Sequence, residues 1–555
     1  MNAIFIAVVA LGSFYMAYKF YGGFLSKKIF KLSPENIPPS HEFEDGMDFV
    51  PTEKKILWGH HFTSIAGAAP IVGPAIGVIW GWLPATLWVI LGTIFMGAVH
   101  DLGALVISVR HKGESIGELT RNIIGNRAGK LFLLVILFLV WIVIAVFALI
   151  IAILFDKFPA TVIPIWTEMI LALFVGFSIY RLKWGATIPS LIALLIMYFS
   201  IWLGSVYPIQ MPDTFLGSGL VTWIWIVCIY AYIASILPVW TLLQPRDYIN
   251  AEELIVGLVL LYAGMFVVHP KIVAPAVRLA PEGAPWLVPF LFITIACGAI
   301  SGFHCLVCSG TTVRQLNNEK DSQMVGYGGM ITEGVLAIIA VLACVAGFAT
   351  RAEWSKHYAS WGAAQGLSAK LSAFVLGGTR FISGLGIPEA FSQAIIGVII
   401  VSFAMTTIDT AARLQRYVIS ELGGQYRMNF LKNRYLGGAI AVGSGLALCL
   451  AKSGGMGGMT LWPIFGTSNQ LLAGLALLVI TIWLLKIQKP ISYTLLPMIF
   501  MMIITLWAMG WNIVNFWNKG DWLLVSVASV LFILALWLIG EAYLALKNRK
   551  IESAV

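Results

Sequence analysis

His60, His61, Asp101 with His100 before it, His304, Glu333 and Asp409 all stand inside long apolar runs. Burial of such groups is costly, so an ionisable side chain within a hydrophobic segment marks a functional position by default. Imidazoles and carboxylates are also the groups whose protonation can be tuned to exchange protons with a passing ligand. His60, His61, Asp101, His304 and Asp409 are therefore candidates for a proton relay. Each has a structural alternative. Asp409 stands four residues before Arg413 and would form an ion pair along one helix. Asp101 would pair with a core histidine and serve as glue between helices.

A second oxygen-rich block is Ser309-Gly310-Thr311-Thr312. Its hydroxyls, with carbonyls freed around Ala66, Ala69 and Pro70, would suit a hard cation such as sodium. The alternative is back-bonding of each hydroxyl to its own helix. Two further motifs are discounted. Cys305 and Cys308 beside His304 imitate a metal clip, yet no second ligand pair follows at zinc-site spacing. The stretch 453-SGGMGGMT-460 lacks the lysine of a phosphate loop. No ATP site, nucleophile–base pair or metal triad emerges, so neither an enzyme nor a cofactor beyond a coupling cation (proton or sodium) is expected.

The elements that must hold these groups are membrane helices. Apolar residues make up 59% of the 555 positions and charged residues 11%, against about 25% charged in soluble domains. The net charge of +9 comes without a basic stripe, so no nucleic-acid partner is expected. Membrane lipid is the expected surround. Apolar runs predict fifteen spans near 3–22, 56–79, 82–109, 129–155, 162–180, 186–205, 219–242, 251–269, 286–311, 325–349, 390–412, 435–451, 460–485, 491–516 and 521–546. The stretch 367–384 carries Lys370 and Arg380 and reads as a re-entrant or surface helix. The first run lacks a basic n-region and reads as a retained span. With the N-terminus outside and the C-terminus inside, 26 of the 35 basic residues fall on the inner side, from Lys19 to Lys547, Arg549 and Lys550. That is the asymmetry the positive-inside rule asks for.

Two of these spans carry internal proline: 59-GHHFTSIAGAAPIVGPAIG-77 and 229-IYAYIASILPVWTLLQPRDY-248. Pro70 leaves the carbonyl of Ala66 unpaired, Pro74 that of Pro70, and Pro238 that of Ala234. Free carbonyls are costly in lipid, so this backbone should face a cavity or an ion. The two spans are second and seventh. Five apart, they cross in opposite directions, as in inverted five-helix repeats with a site between the broken helices. The expected substrate site lies between them, with Ser64, Gly67 and Ala68 on one side and Tyr232, Ser235 and Trp240 on the other. Helix-end amides there would hold a carboxylate.

The stretches 59-GHHFTSIAGAAPIVGPAIG-77, 97-GAVHDLGALVISVRHKGESIGEL-119, 237-LPVWTLLQPRDY-248, 301-SGFHCLVCSGTTVRQL-316, 408-IDTAARLQRYVISEL-422 and 462-WPIFGTSNQLLAGLAL-477 resemble the carbon starvation A proteins. The blocks run in family order over some 420 residues. The resemblance implies a cytoplasmic-membrane carrier of the amino acid–polyamine–organocation type that imports peptides or pyruvate when carbon is scarce, with proton coupling for the pyruvate carriers. It maps the family pattern of the first broken helix onto His60, His61, Gly67, Pro70, Gly73 and Pro74. The serine-threonine block falls at Ser309, Thr311 and Thr312, and the acidic positions at Asp101, Asp247 and Asp409. Many relatives are longer toward the C-terminal side, and a small residue is usual where Cys305 stands.

The expected architecture is an all-α polytopic protein of about fifteen transmembrane helices with a LeuT-like five-plus-five inverted-repeat core. Residues 1–55 form a first span and loop, 56–205 the first repeat, 206–412 the second, and 413–555 a loop and four further spans. The expected function is ion-coupled alternating access for pyruvate, a small peptide or a related carboxylate. A passive channel and a membrane nutrient sensor remain as rival readings, and oligomeric state is open.

Overall fold

The computed structural model describes residues 1–214 and 216–552; the side chains of Gln365, Leu367, Ser368 and 548–552, Arg549 and Lys550 among them, lie outside that description. Among the described residues there is no strand, and helix accounts for almost all regular structure. We label the principal helices α1 (Ala3–Ile29), α2 (Lys54–Ala66), α3 (Ala69–Trp80), α4 (Trp82–Val109), α5 (Asn126–Lys157), α6 (Pro159–Tyr180) and α7 (Thr187–Val206). There follow α8 (Gly219–Ile236), α9 (Leu243–Val268), α10 (Leu287–Thr294), α11 (Gly302–Val307), α12 (Glu319–Ala346) and α13 (Leu367–Ser383). The chain ends with α14 (Glu389–Gln425), α15 (Arg434–Leu450), α16 (Ser453–Lys486), α17 (Ser492–Lys519) and α18 (Trp522–Lys547).

Among the described residues twelve helices are long and apolar enough to cross a membrane, or thirteen when the bent pair α2 and α3 counts as one span. Two of the fifteen expected runs fall outside that count. The run 435–451 forms α15, 17 residues long and at the lower end of the length a crossing takes. The run 286–311 is not one helix: α10 ends at Thr294, residues 295–301 are unwound, and α11 restarts at Gly302. Local bonds within this segment are few, from Ile295 to Leu291 and from Ala299 and Ile300 to Ala296. The backbone groups left over could not face lipid, so the segment must be held inside the protein. The stretch 367–384 forms α13, wedged against α3, α9, α12 and α14 with Leu371, Phe374, Phe381 and Ile382 buried. It is an inserted helix rather than a surface one.

Burial sorts the helices into a centre and a rim. In the most apolar window of α16, 94% of residues are buried, against 33% in α1 and α18. The rim helices turn large apolar side chains outward, among them Phe5, Ile170, Leu195, Ile503 and Ile533. Outward apolar faces suit lipid, where exposure of such side chains costs nothing. The polar side chains named above lie in the central group.

Candidate functional site

The bend between α2 and α3 is 43°. Gly67 makes it, at φ +50° and ψ −162°, a region nearly closed to residues with a Cβ. A Cβ there would also stand 2.5 Å from Thr407 Oγ1 of α14. Pro70 then stands in the first turn of α3, where a missing N–H costs nothing because first-turn donors are unpaired anyway. Ala68 caps the new helix, its carbonyl accepting from Ile71 and Val72 at 3.2 and 3.0 Å.

The second break is the unwound segment 295–301, and it lies directly against the first. Gly73 of α3 approaches α10 so closely that a Cβ would sit 2.7 Å from the carbonyl oxygen of Thr294. The freed carbonyls are met by side chains. Trp88 donates to Ile295, Thr93 to Gly298 and Gln470 to Phe292, at 2.9, 3.0 and 3.2 Å. Asn469 accepts from the backbone of Phe303 at 2.8 Å and donates to Ser301 at 3.0 Å, which caps the restart at α11. Such caps satisfy helix-end groups that would otherwise be orphaned. The signal for this break was Cys297-Gly298 and Ser301-Gly302 within an apolar run, and for its caps the polar Thr467–Gln470 within α16.

Beside the two breaks is a cavity of about 430 Å³ between α3, α10, α16 and α17, roofed by the loop residues Gly283–Pro285 and by Trp361. Ala69, Gly73, Ala296, Cys297 and Lys370 line it.

Deeper along the broken helices lies a sealed chain of ionisable groups. Asp101 bonds His100 Nδ1 at 2.7 Å and His304 Nδ1 at 2.9 Å, and His304 Nε2 stands 3.3 Å from Glu333. All four side chains have no exposure. His61 bonds Thr312 at 2.9 Å. Thus Asp101 does take a core histidine, as its structural alternative required, but it takes two and connects them to a further carboxylate.

A second cluster sits where α2, α6, α8, α9 and α14 meet. Arg246 donates to Glu168 at 2.9 Å, to Tyr230 at 3.0 Å and to Asp409, which also accepts from Tyr230 at 2.6 Å. Asp409 therefore pairs across helices with Arg246, not along its own helix with Arg413. His60 bonds Asp247 at 2.5 Å and lies 3.3 Å from Thr311. Ser64 reaches Asp247 at 3.4 Å and Thr410 at 3.1 Å. Glu253 is buried here with neither oxygen partnered. Arg246, Glu168, Tyr230 and Glu253 are not among the site residues expected from the sequence.

The hydroxyl block is already engaged. Ser309 donates to Cys305 O at 2.7 Å and Thr311 to Val307 O at 3.3 Å, the back-bonding alternative. These hydroxyls face His60, His61 and the amide of Ile116, at 3.1 Å from Ser309. Ala66 and Pro70 are buried at the bend, and Ala69 opens onto the cavity.

The second side of the expected substrate site is not brought to the first. The chain does break after α8, as Pro238 predicts. But the freed carbonyl of Ala234 accepts from Arg413 at 2.8 Å, as does that of Leu237 at 2.6 Å. Tyr232 and Ser235 pack on Gly438 of α15. Trp240 bonds Gly46 at 3.0 Å and stacks by Tyr180 under Arg181. The break that meets Pro70 and Gly73 of α3 is the one after α10, seven spans on rather than five, while Ser64 and Gly67 lie against Asp247, Thr410 and Thr407. Proline alone could not rank the two, because an arginine on a distant helix can stand in for a cavity.

Discontinuous helices packed break against break, beside a cavity and above buried ionisable groups, define a multi-pass membrane transport protein. Its sequence matches the family described as carbon starvation protein CstA over residues 2–508. It is 34% identical over 552 residues to the peptide transporter CstA of Mycobacterium tuberculosis, covering 88% of this chain and 72% of that one. It is 32% identical over 589 residues to the pyruvate/proton symporter BtsT of Escherichia coli, covering 92% and 81%. The chain belongs to the carbon starvation protein CstA family, whose named relatives are transporters and not enzymes. In fold it is similar to an Eremococcus coleocola manganese transporter, with a TM-score of 0.50 at 11% identity over 93% of this chain and all of the other.

Proposed function

We propose that this protein is a secondary active carrier of the cytoplasmic membrane that imports pyruvate or small peptides by alternating access, coupled to protons in preference to sodium. The relatives named as a peptide transporter and a pyruvate/proton symporter support the substrate class and the ion. The observation that carries the reading is the opposition of the two helix breaks beside the cavity, with the Asp101–His304–Glu333 chain behind them. The N-terminus is placed outside and the C-terminus inside, so the cavity opens outward. Residues 56–205 and 206–412 are taken as two oppositely directed sets of five spans, each beginning with a helix interrupted at proline. Substrate enters against Gly67, Ala68 and Ala69, and rocking of the broken helices about the breaks exposes it inward. Protons are exchanged on the His and carboxylate chain as the cavity changes sides.

The test is uptake of labelled pyruvate, and separately of alanyl-alanine, into proteoliposomes with proton and sodium gradients imposed one at a time. Accumulation under a proton gradient alone is expected for at least one of them. Equilibration that never exceeds the outside concentration would make the protein a facilitator or channel. Binding without any uptake would make it a sensor. With Glu333→Gln, gradient-driven accumulation is expected to fall while exchange of internal for external substrate continues, because the variant loses the proton and not the pathway.

A further inference from the structure

The geometry points to Lys370, on the inserted helix α13, as the group that binds the substrate's carboxylate in the cavity beside the two helix breaks. This assignment rests on the carrier reading and names the chemistry of its binding site. Lys370 is 2% exposed and lines the cavity. Among the described residues its ammonium has one neighbour, the ring of Trp462 at 4.7 Å. A cation over a tryptophan face is attracted by the ring quadrupole, more strongly when desolvated. An ammonium has three donors, and withdrawing it from water unpaired costs more than that attraction returns. Among the described residues no Asp or Glu lines the cavity to repay the cost. A carboxylate entering the cavity would give this buried amine the partner it lacks and hold it in its charged form.

The rest of the lining fits such a ligand. The second charged residue is Lys519, exposed at the end of α17, so both charges that meet the cavity are positive. The opening residue of α3, Ala69, also lies on the wall, which adds the positive end of a helix dipole. Trp361, Trp462 and Trp511 form apolar walls, with Asn512 and Thr467 as polar points among them. The volume of about 430 Å³ falls within the usual range for small-molecule pockets, roughly 300–1,000 Å³. It has room for pyruvate or for a short peptide whose C-terminal carboxylate meets Lys370. Insertion of α13 among α3, α9, α12 and α14 is what carries the lysine to this depth.

The experiment is binding to the purified full-length protein, read separately from transport. Pyruvate, alanyl-alanine and the neutral analogue pyruvamide are titrated against wild type, Lys370→Met and Lys370→Arg by thermal shift. Protection of Cys297 from N-ethylmaleimide, mapped by mass spectrometry, is followed in parallel, since that thiol lines the same cavity. Wild type is expected to bind pyruvate or the dipeptide and not pyruvamide. Loss of a charge-assisted hydrogen bond should weaken carboxylate binding roughly ten- to a hundredfold in Lys370→Met, and Lys370→Arg should recover most of it. Equal carboxylate affinity in wild type and Lys370→Met overturns the assignment, as does protection of Cys297 by pyruvamide as strong as by pyruvate. The Cys297 comparison is made on wild type and can overturn the assignment even if Lys370→Met fails to fold, while retained carboxylate binding in Lys370→Arg supports it. Uptake is not an input to any of these readings. A protein that binds through Lys370 but never accumulates substrate retains the assignment and loses the carrier reading.

Discussion

Arg246 is the residue on which the central packing turns. Its guanidinium lies between Glu168 and Asp409 with all three side chains unexposed. Removing one member of such a group strands the others in a medium that cannot solvate them, typically at about 3–5 kcal/mol. Arg246→Met is therefore expected to lower the thermal midpoint of the purified protein sharply, and Arg246→Met with Asp409→Asn and Glu168→Gln to recover part of the loss. A triple variant no more stable than the single one would show that the cluster does not act as an electrostatic unit. Asp48, outside the membrane, offers a pH test. Burial pushes its carboxyl up, but Arg413 and Arg416 outweigh that and hold it at about 2, below the usual value of 3.8. A lowered folded-state value means stability that is present above about pH 4 and lost as pH falls through 2. Asp48→Asn should thus be less stable than wild type at neutral pH, with the difference shrinking as pH is lowered toward 2.

At the scale of elements, the two breaks depend on close approach of backbones. A side chain at Gly73 would meet the carbonyl of Thr294, and one at Gly298 would stand 2.7 Å from the Cβ of Ala337. Gly73→Leu should separate α3 from α10, destabilise by about 1–3 kcal/mol as overpacking does, and abolish uptake. Full uptake by a folded Gly73→Leu protein would count against the opposed breaks as the moving parts. The helix α13 illustrates how an element can be visible in sequence while its place is not. Its apolar residues and two basic ones fit a surface helix as well as an inserted one. Only the burial of Leu371, Phe374, Phe381 and Ile382 against four other helices separates the two.

For the whole molecule, the arrangement is a buried centre of α5, α12, α14 and α16 with the broken helices, ringed by α1, α7, α17 and α18. The orientation is open to direct measurement. In a background without native cysteines, Lys452→Cys should react with a membrane-impermeant maleimide added to intact cells, and Lys432→Cys only after permeabilisation. The reverse pattern would invert the topology and turn the cavity inward.

The class of the protein, its helical content and the positions of most spans were determined by the sequence alone. Apolar runs of about twenty residues have one stable form in lipid, because every backbone polar group must be paired within its own segment. The bend at Gly67 and the break at Pro238 were legible for the same local reason, a missing donor or a backbone angle closed to a Cβ. So were His60, His61, Asp101, His304 and Asp409 as buried ionisable groups, since charge inside an apolar run needs no partner to be noticed. Their pairings were decided only by the tertiary structure. Asp409 met Arg246 from a helix 163 residues away, where the sequence offered Arg413 at four. The carbonyl freed by Pro238 was taken by Arg413, while the less conspicuous break at 295–301 came to lie against Pro70 and Gly73. A lysine that reads as a surface charge was carried by an inserted helix into a cavity without a counter-ion. Local chemistry determines what a residue needs, but the distance between helices in space determines what it gets.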